Sequence, residues 1–178
     1  PLAWLVWGFV GFFLVFVVPG ALLLGATVDT EADGQPTAGA NGDDLATSDD
    51  EDGVAFTSPL IRGQSASVTV TASAPGVLNA WLDFNGDGNW TTAGDAIFVN
   101  VALVAGANNL SFPVPATATT NLNTVARFRL ATAGGLSFTG LANDGEVEAH
   151  AVATAAEADV AIPKTDGAAT AGPRAPVP

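Results

Sequence analysis

The amino-acid sequence predicts an all-β protein, an antiparallel β-sandwich of Ig-like or jelly-roll-like kind, and three observations carry that expectation. Short apolar and polar alternations recur from Leu60 to Thr154, turn-forming clusters separate them, and no helical period lies between them.

Ser67 to Ala72 comes first and alternates as S-V-T-V-T-A, which gives a strand one apolar and one polar face. Ala74-Pro75-Gly76 ends it, and Val77 to Phe84 follows as V-L-N-A-W-L-D-F, with Trp81 on the apolar phase and expected in the core. Asn85-Gly86-Asp87-Gly88 is the next turn signal, before the run from Ala96 to Val104. Ala105-Gly106 then separates it from Asn109 to Val114. The last two runs are Asn123 to Ala131 and Gly145 to Ala153, divided by Gly134-Gly135 and Asn143-Asp144-Gly145. Their Val, Leu, Ile and Phe residues, with Trp81, suffice for the core of one independent domain.

Composition divides the chain into four zones. Residues 1–24 are apolar and uncharged, with Trp4, Trp7, Phe9, Phe12, Phe13 and Phe16 among them. The length suits a membrane helix, the alternative being an artefact at the ragged end of a fragment. The basic flank and small-residue cleavage site of a secretory signal are missing. Residues 25–58 form an acidic lead-in, and Asp29, Glu31, Asp33, Asp43, Asp44, Asp49, Asp50, Glu51 and Asp52 give it the composition of an extended, solvated segment, the alternative being one that becomes ordered around a cation. Residues 59–154 are the β-sandwich module. Residues 155–178, with Pro163, Pro173, Pro176 and Pro178, read as a linker.

The chain has no Cys and no Met, and Pro1 opens it, so it is expected to be a piece of something longer. Without Cys there is no disulfide framework and no thiolate zinc site. Five basic residues against eighteen acidic ones argue against nucleic acid as a partner, because binding phosphates requires Lys and Arg. The negative charge favours multivalent cations or solubility.

One loop has ligand spacing. In Asp83-Phe84-Asn85-Gly86-Asp87-Gly88-Asn89, side-chain oxygens stand at positions one, three and five and a glycine at six, as a calcium loop of the EF-hand type requires. Asn89, at seven, would add its backbone carbonyl. Gly94 occupies position twelve and Asp95 follows, so the closing carboxylate is displaced by one. The metal candidates are therefore Asp83, Asn85, Asp87, Asn89 and Asp95, and the ion is calcium, bound with Kd on the order of 10⁻⁴ to 10⁻³ M. The competing reading is a plain polar hairpin, since Asn-Gly and Asp-Gly are turn formers. Trp90, just after the loop, is a candidate for stacking on a sugar, with packing as the commoner use of such a ring.

Arg127 and Arg129 share one face of their run, and Glu146, Glu148 and His150 share one face of theirs. Antiparallel pairing of the two runs is expected to set arginines against glutamates in a charge ladder. His150, a lone histidine, is expected at the surface. No nucleophile elbow, phosphate loop or zinc signature is present, and the carboxylates lack the aromatic cleft of a glycosidase, so no enzyme is expected.

Several motifs in order carry a resemblance: Trp81-Leu82-Asp83-Phe84-Asn85-Gly86-Asp87-Gly88-Asn89-Trp90, Ala126-Arg127-Phe128-Arg129-Leu130, Gly135-Leu136-Ser137 and Asp144-Gly145-Glu146-Val147-Glu148. Together they resemble the GEVED domain of large secreted and cell-surface bacterial proteins. The acidic stretch from Leu24 to Pro36 and from Gly42 to Val54 is similar to the segment that precedes that domain. Ala149 and His150 stand where the motif has Asp and commonly Tyr, and Phe138 replaces a usual Pro. The tail from Ala158 to Gly167 is similar to the opening strand of a conserved surface-protein repeat domain. The resemblance implies a secreted or cell-surface location, a non-enzymatic structural or adhesive module, and neighbouring β-sandwich modules of the same chain as partners. A cell-surface glycan or protein is the further partner expected, and a membrane only if residues 1–24 are genuine. The alternative is a carbohydrate-binding module using Trp90 and polar loop groups.

Overall fold

A computed structural model describes residues 22–26 and 51–157. It contains eight strands: β1 (Val54–Phe56), β2 (Leu60–Ile61), β3 (Ser65–Ala72), β4 (Gly76–Leu82), β5 (Ala96–Leu103), β6 (Gly106–Pro113), β7 (Asn123–Ala131) and β8 (Glu146–Ala155). They form two sheets, a three-stranded one in the order β1-β3-β6 and a five-stranded one in the order β2-β8-β7-β4-β5. The expected all-β sandwich is the observed fold. Each of the six alternating runs is a strand, and every pairing is antiparallel except that of β2 with β8.

The alternation explains the packing. On β3, Ala66, Val68, Val70 and Ala72 are buried while the intervening Ser and Thr residues are partly open. These side chains meet Leu78, Ala80 and Leu82 of β4, Phe98 of β5, Phe112 of β6 and Phe128 and Leu130 of β7. Phe98 and Phe112 meet edge to face across the sheets, 5.6 Å between centroids. Such contacts add about 1 kcal/mol to the burial itself.

The module extends further toward the N-terminus than residue 59. β1 pairs with β3, and Leu24 forms an isolated antiparallel bridge with Ala72 while lying fully buried in the core. The apolar segment before Leu22 and the tail after Glu157, for which a membrane helix and a following repeat were expected, lie outside the described residues. Among the described residues no helix is long and apolar enough to cross a membrane.

One expectation about side-chain placement is refined and one is corrected. Trp81 is buried, but not in the main core: it shares a strand phase with Asn79, opposite Leu78, Ala80 and Leu82. It packs with Trp90, Val125, Ala149 and Phe138 in a second cluster on the outer face of the larger sheet. The correction concerns the charge ladder. β7 and β8 are antiparallel neighbours, but Arg127 stands opposite Ala149 and Arg129 opposite Val147, whereas Glu148 stands opposite Phe128. Directly opposed residues share a face, so the arginines point outward and the glutamates inward. A register one residue different separates a charge ladder from this arrangement.

Candidate functional site

The candidate loop joins β4 to β5, and its two ends are tied together by the bond from Leu82 N–H to Asp95 C=O, 2.8 Å. Its root is held from below by β7. Asp83 N–H donates to Val125 C=O at 3.3 Å, and Thr124 Oγ1 donates to Asp83 C=O at 2.7 Å.

Asp83 is buried and organises the turn. Its Oδ1 accepts the N–H of Asn85 at 3.3 Å and of Gly86 at 2.7 Å, and its Oδ2 accepts that of Gly88 at 2.9 Å. Each later Asx residue repeats the pattern on a smaller scale. Asn85 Oδ1 accepts from Asp87 N–H, Asp87 Oδ1 from Asn89 N–H, and Asn89 Oδ1 from Thr91 N–H, at 3.1, 2.8 and 3.0 Å. Alternate side chains thus point back into their own loop, as local Asx bonding favours. Asn85 Nδ2 donates across the turn to Asp87 Oδ2 at 2.9 Å and to Thr92 Oγ1 at 3.3 Å.

Asp95 closes the loop from below and is 1 % exposed. Its Oδ1 accepts Phe84 N–H at 3.3 Å, while its Oδ2 is buried with no hydrogen-bond partner. Burial pushes the Asp95 carboxyl above the usual aspartate range, and the charges of Asp83 and Asp87 push it the same way against the Phe84 bond. A buried carboxylate oxygen without a donor is the kind of oxygen a hard cation takes as a ligand. Asp83, Asp87 and Asp95 do not close on one point by themselves: among the described residues no three His, Cys, Asp or Glu side chains are grouped to hold a metal. The amide oxygen of Asn85 and loop carbonyls would have to complete the shell.

The structure brings Asp83, Asn85, Asp87 and Asp95 to one loop. Asn89, the fifth metal candidate, turns its side chain to Thr91, so what it can offer is its carbonyl, as expected for position seven. Trp90 is 6 % exposed, donates Nε1–H to Val125 C=O at 3.4 Å and packs 5.7 Å from Phe138. Sugar stacking needs an open ring face, and Trp90 does not offer one. Thr92 and Thr124, which sequence reasoning passed over, hold the loop through a side chain and a root contact. Thr92, three residues before Asp95 and accepting Asp95 N–H at 3.0 Å through its carbonyl, marks a turn that the local sequence does signal. Thr124 is distant in sequence and carries no such signal.

A second polar constellation covers the outer sheet face. Arg129 is buried, and its guanidinium donates to the carbonyls of Ser137, Thr139 and Gly140 at 2.5, 3.0 and 2.7 Å. It thereby fastens the β7–β8 connection, and Phe138 within it, over Trp81 and Trp90. Burial lowers the Arg129 pKa, yet three carbonyl acceptors solvate the charge in place of water.

These features define a small all-β sandwich module whose polar groups order its own loops. Residues 77–153 match the family model of the GEVED domain, from β4 through most of β8 and including the Asp83–Asp95 loop and the Gly145-Glu146-Val147-Glu148 motif. No curated protein and no solved structure matches the chain.

Proposed function

We propose that this chain supplies a non-catalytic structural or adhesive module to a large bacterial secreted or cell-surface protein, next to further β-sandwich modules, with calcium stiffening the β4–β5 loop. The GEVED match and the all-β fold support a structural module. The observation that carries the calcium reading is the buried, unpartnered Asp95 Oδ2 beneath the Asx turns. A buried carboxylate oxygen without a donor is costly, and a divalent cation held with Asp83, Asn85 and Asp87 relieves that cost. Calcium then acts as a strut: it neutralises three mutually repelling carboxylates and fixes the joint between two strands of the larger sheet.

Thermal unfolding of the chain in calcium and in chelator tests this. Calcium bound to the folded state alone adds about 1.4 kcal/mol at ten times its Kd, so the midpoint rises through the millimolar range. Asp87→Ala with Asp95→Asn removes the rise. A midpoint that does not move up to several millimolar calcium reduces the loop to a polar hairpin and ends the calcium reading.

A further inference from the structure

Two carboxylates lie on the inward face of β8, in a position where alternation calls for apolar side chains. Glu146 is 7 % and Glu148 1 % exposed. A buried carboxylate is tolerated only where hydrogen bonds replace its water. Both find donors in the chain that enters the sandwich. Glu146 Oε2 accepts Leu24 N–H, and Glu148 Oε1 accepts Gly53 N–H at 2.8 Å, while Glu148 Oε2 lies 3.0 Å from His150 Nε2.

The same entering chain pairs with β3 in the opposite sheet. Gly25 N–H donates to Thr71 C=O and Ser73 N–H to Leu23 C=O, both at 2.9 Å, and Thr71 N–H donates to Gly53 C=O at 2.8 Å. Residues 22–26 and 51–53 therefore bridge the two sheets, backbone to β3 and glutamate to β8. They also touch each other. A Cβ on Gly53 would lie 2.4 Å from Gly25 N, and Ala26 N–H donates to Asp52 Oδ1 at 3.0 Å.

We propose that Glu146 and Glu148 form a clasp that builds residues 22–26 and 51–53 into the sandwich, so that both of these segments are structural parts of this module. The clasp accounts for two buried carboxylates that a charge ladder does not use. It also gives the second and fourth residues of the Gly145-Glu146-Val147-Glu148 motif a shared role that the intervening, outward-facing Val147 lacks.

Hydrogen exchange on the full chain, read by peptide fragment, tests the proposal. Glu146→Ala is expected to speed exchange at residues 22–26 about tenfold or more while β4 and β7 keep their protection. Glu148→Ala does the same at residues 51–56, and Glu148→Gln, which keeps an acceptor oxygen, does so much less. No change at 22–26, or an equal rise in every strand, overturns the clasp. Should the alanine variants fail to fold, the pair Ala26→Cys and Asp52→Cys decides in a chain without native cysteine. Mild oxidation cross-links the pair if residues 22–26 and 51–53 are held together in the sandwich, and failure to cross-link overturns the clasp.

Discussion

Asp95 shows how one side chain sets a pH dependence. Its carboxyl holds a proton more tightly in the folded state, through burial first and then the charges of Asp83 and Asp87. The sign follows from linkage. A raised carboxyl pKa favours the folded state when the group is protonated, and that contribution is lost as pH rises from the ordinary aspartate range through the raised value. At neutral pH without cation the ionised Asp95 is therefore a liability. Asp95→Asn is expected to raise the melting midpoint at pH 7 in chelator by a few degrees, an advantage that disappears below the ordinary aspartate range. The asparagine keeps an oxygen for Phe84 N–H and turns an amide toward the two carboxylates. Asp83 works the other way. Asp83→Ala strands the N–H groups of Asn85, Gly86 and Gly88, and urea unfolding should show a loss of about 2 to 3 kcal/mol even without calcium.

Elements matter through the register in which they pair. The β7 sequence alternates clearly, yet alternation says which residues share a face and not which face is inside. With eight of nine β7 residues buried, both faces are covered, one by the three-stranded sheet and one by loops. Arg129 belongs to the loop-covered face. Arg129→Met releases three carbonyls of the β7–β8 connection and so uncovers Trp81 and Trp90 beneath Phe138. Tryptophan emission should shift to the red and quench more readily, with a stability loss of about 1 to 3 kcal/mol. The start of β8 is equally constrained. Gly145 has φ +92°, and a Cβ there would lie 1.8 Å from Leu130 C=O. Gly145→Ala should cost at least about 2 kcal/mol in denaturant titration, because both the dihedral and the contact must give.

At the scale of the whole molecule, the folded unit is larger than the stretch that matches the GEVED domain. Residues 77–153 omit β1 and β3 and leave β6 without its sheet partner. A fragment of those residues exposes the apolar faces of β4, β7 and β6 to water, and its circular dichroism should be that of an unfolded chain. Residues 22–157 contain both sheets and the entering segment, and should unfold in a single cooperative transition. A folded 77–153 fragment would show that the three-stranded sheet is an accessory.

Much of this was legible without coordinates, for identifiable reasons. Alternation along β3 announced a strand, since a side-chain period of two is visible in any half-buried strand. The Asx residues from Asp83 to Asn89 announced a turn that folds its oxygens inward, because those bonds reach only two to five residues along the chain. β1 and β2 escaped notice because three and two residues are too few to display a period. Trp81, Arg129, Glu146 and Glu148 were visible as residues but not as roles. Their placement depends on pairing between strands far apart in sequence and on an entering segment that crosses from one sheet to the other. Local propensity and pattern are properties of neighbours along the chain, and both can be read from the order of residues alone. Which face is inside, and what each buried charge meets there, depends on contacts that exist only once both sheets have closed on one core, so both are set by the folded state.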